Sequence, residues 1–202
     1  MSFASLLEQW AARYEVTTVL ERGLGPSVRP ACASFAARGN AIFAVVDDGS
    51  SAEAVRAAYG PKAKVHLQGD EGELPKSDLV VIHGDHPGGD WRHELAAFGS
   101  HASKLVVVSV PNAGAWQAQA RRLLARARGE EVPREDGWGR TEALAPVLWS
   151  IGRVREHAYV DVPSVGDRAP KLVHRVAGGH VFLVDVTPRT PQARRKIRLQ
   201  TV

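Results

Sequence analysis

Apolar residues in this chain form short continuous runs that alternate with segments of helical periodicity. The runs are rich in β-branched residues, and continuous apolar runs are typical of strands buried on both faces of a sheet. The predicted strands are 16–20, 41–46, 64–67, 79–82, 105–110, 154–162 and 180–186. The predicted helices are 3–14, 27–38, 52–59, 91–98, 115–128 and 141–151.

The order of these elements predicts the fold class. Strands that alternate with helices favour an α/β fold with a doubly wound, mostly parallel sheet. The last two strands are joined by residues 163–179, which are rich in proline and glycine. We therefore expect a seven-stranded sheet with an antiparallel edge. With no repeat or linker, residues 1–202 are predicted to form a single domain, with a leading helix over about 3–14 and a basic tail over about 188–202.

Composition narrows the class of protein. The chain is 44% hydrophobic and 24% charged, as in ordinary globular proteins, and no apolar run is long enough to cross a membrane. Cys32 is the only cysteine, and its apolar neighbours predict a buried, inert thiol. A chain without a disulfide framework or a basic leader is expected in the cytoplasm.

The net charge of +4 raises the question of a nucleic-acid partner. The basic residues concentrate in the predicted helix 115–128 and in the tail. No aromatic residues are interleaved with them for stacking on bases, so we favour a solvated helix face over a nucleic-acid surface.

Polar residues and glycines stand where four of the predicted strands end. In an open α/β sheet, ligands bind beyond the carboxyl ends of the strands, at the point where the chain reverses its direction of winding. The candidates are the segment 21–27, Asp47, the pair Gly69-Asp70 and the pair His83-Gly84. Glycines permit close approach of a ligand to the backbone. A carboxylate at Asp47 can accept hydrogen bonds from both hydroxyls of a ribose, and one at Asp70 from an adenine amino group.

The segment 19–26 (Val-Leu-Glu-Arg-Gly-Leu-Gly-Pro) resembles the first motif of class I S-adenosylmethionine (SAM)-dependent methyltransferases, in which an acidic residue precedes a G-x-G turn. Asp47 matches that family's ribose-binding position, and residues 68–70 resemble its adenine motif. The strands at 77–82 and 105–112 are also similar, so the resemblance covers about 16–186. It departs from the family at Ser27, which replaces a third glycine, and at Arg22, which replaces an apolar residue.

The resemblance implies SAM as the cofactor. It places Glu21 under the methionine amino group, the two glycines beneath the cofactor, Asp47 at the ribose and Asp70 at the adenine. The implied cofactor-binding residues are Glu21, Gly23, Leu24, Gly25, Asp47, Asp48, Gly69, Asp70 and His83. A nicotinamide dehydrogenase is disfavoured, because Val28 stands where its third glycine should be.

The acceptor side of the predicted site follows the fourth strand. His83 and His86 are the candidate general bases, since histidine titrates near neutral pH. Trp91, Asn112 and Trp116 are the candidate substrate-binding residues. We predict no metal, because the segment 110–112 (Val-Pro-Asn) lacks the aspartate that metal-dependent O-methyltransferases carry there. The loop at 83–87 also lacks the Asn/Asp-Pro-Pro-aromatic sequence of nucleobase N-methyltransferases.

The sequence therefore predicts SAM-dependent methyl transfer to a small-molecule acceptor by direct in-line displacement. Two alternatives stay open: a non-catalytic, methyltransferase-like subunit that binds a partner protein, and an RNA-associated methyltransferase. A homodimer is compatible with the sequence, and a membrane partner is not expected.

Overall fold

The computed structural model describes residues 2–24, 30–69, 74–84, 91–112, 115–129, 141–160, 173–177 and 179–187. The strands are β1 (Thr18–Leu24), β2 (Ala41–Val46), β3 (Lys64–Leu67), β4 (Ser77–His83), β5 (Ala102–Pro111), β6 (Arg153–Val160) and β7 (Gly179–Asp185). They form one seven-stranded sheet in the order β3-β2-β1-β4-β5-β7-β6. Strands β1 to β5 pair in parallel, and β7 pairs antiparallel with both β5 and β6. The predicted doubly wound sheet with an antiparallel edge is confirmed.

Helices cover both faces of this sheet. Those in the described ranges are α1 (Phe3–Ala11), α2 (Ala33–Ala37), α3 (Gly49–Tyr59), α4 (Trp91–Gly99), α5 (Trp116–Ala127), α6 (Thr141–Ile151) and α7 (Val173–Val176). None of the helices in the described part of the chain is long and apolar enough to span a membrane.

The central strands separate two apolar layers. Alternate residues of a strand point to opposite faces, so Leu79 and Val81 of β4 join the layer under α1, α2 and α3. Val80 and Ile82 join the other layer, which packs on α4 and α6. All four side chains are at most 2% exposed, which is why β4 is a continuous apolar run in the sequence.

Helix α1 is anchored on the first of these layers. Ser2 caps it by accepting a hydrogen bond from the Ser5 amide at 3.2 Å. Leu7 and Trp10 are buried, and the Trp10 indole Nε1 donates to Glu156 Oε2 of β6 at 2.7 Å. The predicted leading helix is therefore an integral part of the core, although it ends at Ala11.

Asp78 fixes the register of β1 against β4 at the amino edge of the sheet. Its Oδ2 accepts from the Thr17 amide at 2.9 Å and from the Thr17 hydroxyl at 2.7 Å. Burial would raise the pKa of Asp78, but hydrogen bonds from Thr17, Lys104 and Ser103 outweigh it and lower the pKa to about 2.

Two predicted boundaries near the ligand-binding edge are wrong. The second helix begins at Ala33 rather than at 27, because the amides of Ala31 and Cys32 donate to side chains of other elements instead of entering a helix. The first strand runs from Thr18 to Leu24 rather than 16–20, because its glycine lies within the strand as a local irregularity and the pairing with β2 resumes at Leu24.

Smaller corrections concern one helix start and one connection. Asp48 is the N-cap of α3, so this helix begins at Gly49 rather than at 52. The proline- and glycine-rich segment 163–179 contains α7 and the first residue of β7 among its described residues.

Candidate active site

The chain reverses its winding between β1 and β4, and the candidate site lies at the carboxyl ends of these two strands and of β2. From β1 the chain proceeds to β2 and β3 on one side, and it then crosses to β4 on the other. Ligands of open α/β sheets bind at such a switch point. Because side chains alternate along β1, Glu21 and Arg22 point to opposite faces of the sheet and organise two separate polar clusters there.

Glu21 is the centre of the first cluster and is completely buried. Its Oε1 accepts from the Ala31 amide at 2.9 Å and lies 2.8 Å from Nε2 of His83. Its Oε2 accepts a hydrogen bond from the Tyr59 hydroxyl of α3. Three hydrogen bonds to one buried carboxylate compensate its lost hydration.

Tyr59 and Cys32 close this cluster on the side of α2 and α3. The Cys32 amide donates to the Tyr59 hydroxyl at 3.1 Å, which directs the Tyr59 proton towards Glu21. Burial, and then the negative charge of Glu21, raise the pKa of Tyr59 well above its usual value. The same causes raise the pKa of the buried Cys32 thiol, so this group stays protonated and unreactive.

His83 is held between β1 and α1. It is 7% exposed, and the Phe3 ring meets it edge-on with the ring centroids 5.5 Å apart. Gly23 has a φ of +83°, and a Cβ there would lie 2.5 Å from the His83 carbonyl oxygen. Gly23 is therefore required twice, for its backbone conformation and for the close approach of β1 to the end of β4.

Arg22 is the centre of the second cluster, on the side of α4. Its side chain is 3% exposed, with Nη1 3.2 Å from Asp47 Oδ1 and Nη2 3.7 Å from Glu94 Oε2. The guanidinium also lies 5.1 Å from the centroid of the Phe98 ring. Its Nε is buried without a hydrogen-bond partner in the described part of the chain.

Asp47 and Asp48 stand side by side at the end of β2 but have different surroundings. The Asp47 side chain is 18% exposed, so it reaches the surface of the site above the buried Arg22. Asp48 accepts from the Ser51 amide at 2.8 Å and from the Ser50 hydroxyl at 2.6 Å. These hydrogen bonds lower the pKa of Asp48, and they engage it in capping α3.

Gly69 and Leu24 line the same edge of the sheet through their backbones. Gly69 follows β3 with a φ of +87°, a conformation that favours glycine. The Leu24 side chain is buried in the core, and its carbonyl accepts from the Asp47 amide at 3.4 Å. The other predicted contacts, Gly25, Asp70 and His86, lie outside the described residues.

The three predicted substrate-binding residues have unlike surroundings. Trp91 is 5% exposed and packs in the layer under α4 and α6. Asn112 is buried, and its Nδ2 donates to the Ala177 carbonyl at 3.0 Å. Trp116 is 56% exposed at the start of α5. Their contact with a substrate stays a prediction, and packing accounts for the position of Trp91.

The sequence did not point to Tyr59, Glu94 and Phe98, which complete the two clusters from α3 and α4. Periodicity places such residues on helices but does not say which strand they meet. One signal was present, since Arg22 stands where the resembling motif carries an apolar residue, and a charged residue in such a position requires buried partners. No group of three or more potential metal ligands occurs within the described ranges.

A cavity of about 620 Å³ lies away from this site. Trp149, Arg153, Arg155 and Asp185 are among its lining residues. Asp185 pairs with Leu105, near the start of β5, so the cavity opens at the opposite edge of the sheet. It is not the site that the sequence predicts.

Comparison with known proteins supports the fold. Neither family models nor curated protein sequences match the chain. Solved structures do match, among them magnesium protoporphyrin IX methyltransferase from Synechocystis, with a TM-score of 0.59, 13% identity, and coverage of 90% of this chain and 81% of that chain. The N-methyltransferase NodS from Bradyrhizobium japonicum matches with a TM-score of 0.56 and 10% identity over 91% of this chain and 93% of its own.

A third match is a TehB-like SAM-dependent methyltransferase from Corynebacterium glutamicum, with a TM-score of 0.55 and 14% identity over 92% of this chain and 86% of that chain. The Synechocystis protein has been solved with SAM and with S-adenosylhomocysteine (SAH) bound. The fold of the present chain is thus the Rossmann-like fold of class I methyltransferases.

Proposed function

We propose that the protein binds SAM at the carboxyl ends of β1 and β2 and transfers its methyl group to a small-molecule acceptor. The observation that carries this proposal is the convergence of Gly23 and Asp47 at the switch point of a methyltransferase-type sheet. Sequence motifs and topology point to the same residues at the same edge. The solved structures of this fold that hold SAM or SAH support the choice of cofactor.

The residues present fit the cofactor in two respects. Asp47 is partly exposed at the end of β2, where its carboxylate would accept hydrogen bonds from ribose hydroxyls. Gly23, near the end of β1, has no side chain and a positive φ, so a ligand can approach the backbone there. When bound, the sulfonium would supply a methyl group activated for displacement, and the protein would contribute orientation and exclusion of water.

Glu21 departs from what the resemblance implies. Both of its oxygens are engaged by Ala31, Tyr59 and His83, and the side chain has no exposed surface. In this proposal Asp47 therefore provides the principal carboxylate contact to the cofactor, and Glu21 acts within the protein. His83 at the end of β4 is the candidate base, together with the predicted His86.

The proposal also covers the acceptor, the cellular location and the oligomeric state of the protein. We take the acceptor to be a small molecule, because no aromatic residue for base stacking lies among the arginines of 121–128. We expect a cytoplasmic enzyme, and a homodimer is consistent with the exposed apolar side chains of Trp116, Leu123 and Leu124 on α5.

The acceptor class is tested with SAM labelled in its methyl group. Purified protein is incubated with labelled SAM and cell extract separated into small-molecule, RNA and protein fractions. We expect label in the small-molecule fraction, and at least tenfold less with Asp47→Ala. Label confined to RNA would contradict the small-molecule acceptor, and no label in any fraction would contradict methyl transfer.

A non-catalytic, partner-binding subunit is the second candidate, and one observation favours it. Arg22 already engages Asp47 at 3.2 Å, so a ribose would share this carboxylate with a buried cation. Absence of SAM binding together with a folded, stable protein would support this second candidate.

A further inference from the structure

Glu21, His83 and Tyr59 form a buried hydrogen-bond network whose protons can be assigned. The Ala31 amide can only donate, and so it occupies one position on the Glu21 carboxylate. The Tyr59 hydroxyl accepts from the Cys32 amide and therefore donates its own proton to Glu21. Burial and the charge of Glu21 raise the pKa of Tyr59, which keeps that proton in place.

His83 completes the assignment. Its Nε2 lies 2.8 Å from Glu21 Oε1, which also accepts from the Ala31 amide, and we therefore assign the proton of this hydrogen bond to Nε2. In a neutral imidazole the other nitrogen, Nδ1, then carries a lone pair. The ring is also fixed in position, because Phe3 packs edge-on against it and Gly23 abuts its backbone.

We propose that Glu21 is a positioning residue that fixes His83 in the Nε2–H tautomer, so that His83 Nδ1 acts as general base for a hydroxyl acceptor. This inference rests on the proposed methyl transfer. It assigns Glu21 to the acceptor side of the reaction instead of to the methionine amino group, and it names the acceptor class.

The proton balance of the reaction defines what His83 does. His83 Nδ1 takes the proton of the acceptor hydroxyl as the oxygen forms a bond to the methyl carbon. The carbon–sulfur bond breaks with its electron pair going to sulfur, which yields a methyl ether, SAH and an imidazolium. Glu21 stabilises that imidazolium through Nε2, and the extra proton then passes from Nδ1 to solvent.

A hydroxyl needs such a base more than an amine does. A neutral amine has a nucleophilic lone pair and can lose its proton after transfer, whereas a neutral hydroxyl is a weak nucleophile until its proton is removed. A positioned general base contributes about 10²–10⁴-fold to such a step. The buried dyad therefore points to an O-methyl product.

The tautomer of His83 is measured in the ligand-free protein by long-range ¹H–¹⁵N NMR at pH 8, with His83→Gln to assign the signal. We expect the Nε2–H form in the wild type. Observation of the Nδ1–H form there would overturn the proposal, whether or not the protein binds SAM.

Two variants test whether Glu21 is responsible for the tautomer. Glu21→Ala removes the oxygen that faces His83 Nε2, so we expect a mixture of the Nδ1–H and Nε2–H forms. Tyr59→Phe removes one donor but keeps the carboxylate, and we expect it to retain the Nε2–H form. An unchanged Nε2–H form in folded Glu21→Ala would overturn the positioning role.

Activity provides an independent test on the labelled small-molecule product. We expect its methyl group on oxygen, and we expect Glu21→Gln to lower kcat by about 10²–10⁴-fold with little change in the KM for SAM. A methyl group on nitrogen would overturn the acceptor class. The absence of any labelled product would overturn the proposed methyl transfer. The NMR measurement of the His83 tautomer would still test the positioning role of Glu21 separately.

Discussion

At the scale of single residues, Arg22 is the side chain that departs most from its surroundings. It lies in an interior strand of the sheet, next to the acidic Glu21, and it is 3% exposed. A buried guanidinium is tolerated only when carboxylates compensate its charge. Asp47 and Glu94 do so from β2 and α4, and Arg22 thereby ties three elements together beneath the candidate ribose contact.

Replacement of Arg22 by leucine tests this compensation. We expect Arg22→Leu to lower the free energy of unfolding by about 1–3 kcal/mol, because Asp47 and Glu94 lose their cation and both are partly exposed rather than fully buried. Urea denaturation measures the change. Arg56→Leu, on an exposed part of α3, is the control and should change stability by less than about 0.5 kcal/mol. Equal stability of Arg22→Leu and wild type would show that the cluster contributes nothing net.

The residue scale also shows what a sequence can and cannot predict. Arg22 was recognisable as a departure from the motif, and Asp47 as a carboxylate at a strand end. The partners of Glu21 were not, because Tyr59 lies 38 positions further along the chain and on a helix whose packing partner is not encoded in its own periodicity. Glu21 consequently matches a cofactor motif in the sequence, although in the structure both of its oxygens form hydrogen bonds within the protein.

At the scale of elements, the hairpin of β6 and β7 carries a ring cluster on the side of α4 and α6. His157 Nε2 and His180 Nδ1 lie 3.0 Å apart across the two strands, so one of the rings donates to the other. The Phe182 ring stacks on His157 with the centroids 4.5 Å apart. Burial, and then the proximity of His157, lower the pKa of His180 to about 4.

This cluster makes stability depend on pH. The pKa of His180 is depressed on folding, so the unfolded chain takes up its proton first as the pH falls from about 6.5 to about 4. The stability contributed by a neutral His180 is fully present above pH 6.5 and is lost across that window. Between these pH values, we expect the free energy of unfolding of the wild type to fall by about 2–3 kcal/mol more than that of His180→Gln.

Urea denaturation at several pH values measures this difference. His66→Gln, on β3 at the other side of the sheet, is the matched histidine control and should follow the wild-type curve. Parallel curves for wild type and His180→Gln would contradict the assignment of a depressed pKa to this pair.

Elements differed in how well the sequence predicted them. The continuous apolar runs of β2, β4 and β5 identified buried strands, because runs this short and this rich in β-branched residues are typical of strands covered on both faces. The start of α2 was misplaced, since the Ala31 amide is drawn to Glu21 by a tertiary contact that no local propensity reports. A short helix at 173–176 was missed because its four residues are too few to show periodicity.

At the scale of the whole molecule, strand order determines where chemistry can occur. The reversal of winding at β1 and β4 opens the carboxyl edge of the sheet at Gly23 and His83, with Asp47 on the adjacent strand. The doubly wound, mostly parallel sheet was predictable from the alternation of strands with helices, and its antiparallel edge from the two late strands. The helix residues that complete the clusters around Glu21 and Arg22 emerged only with the packed structure.

Calorimetric titration of the protein with SAM and SAH tests cofactor binding, on which the proposed chemistry depends. We expect micromolar binding, about −8 kcal/mol, weakened at least about tenfold by Asp47→Ala and unchanged by Glu53→Ala, an exposed acidic residue of α3 that serves as control. Absence of heat and of thermal stabilisation at millimolar ligand would contradict the proposed function, because a fold with the carboxylate in place would then not bind the methyl donor.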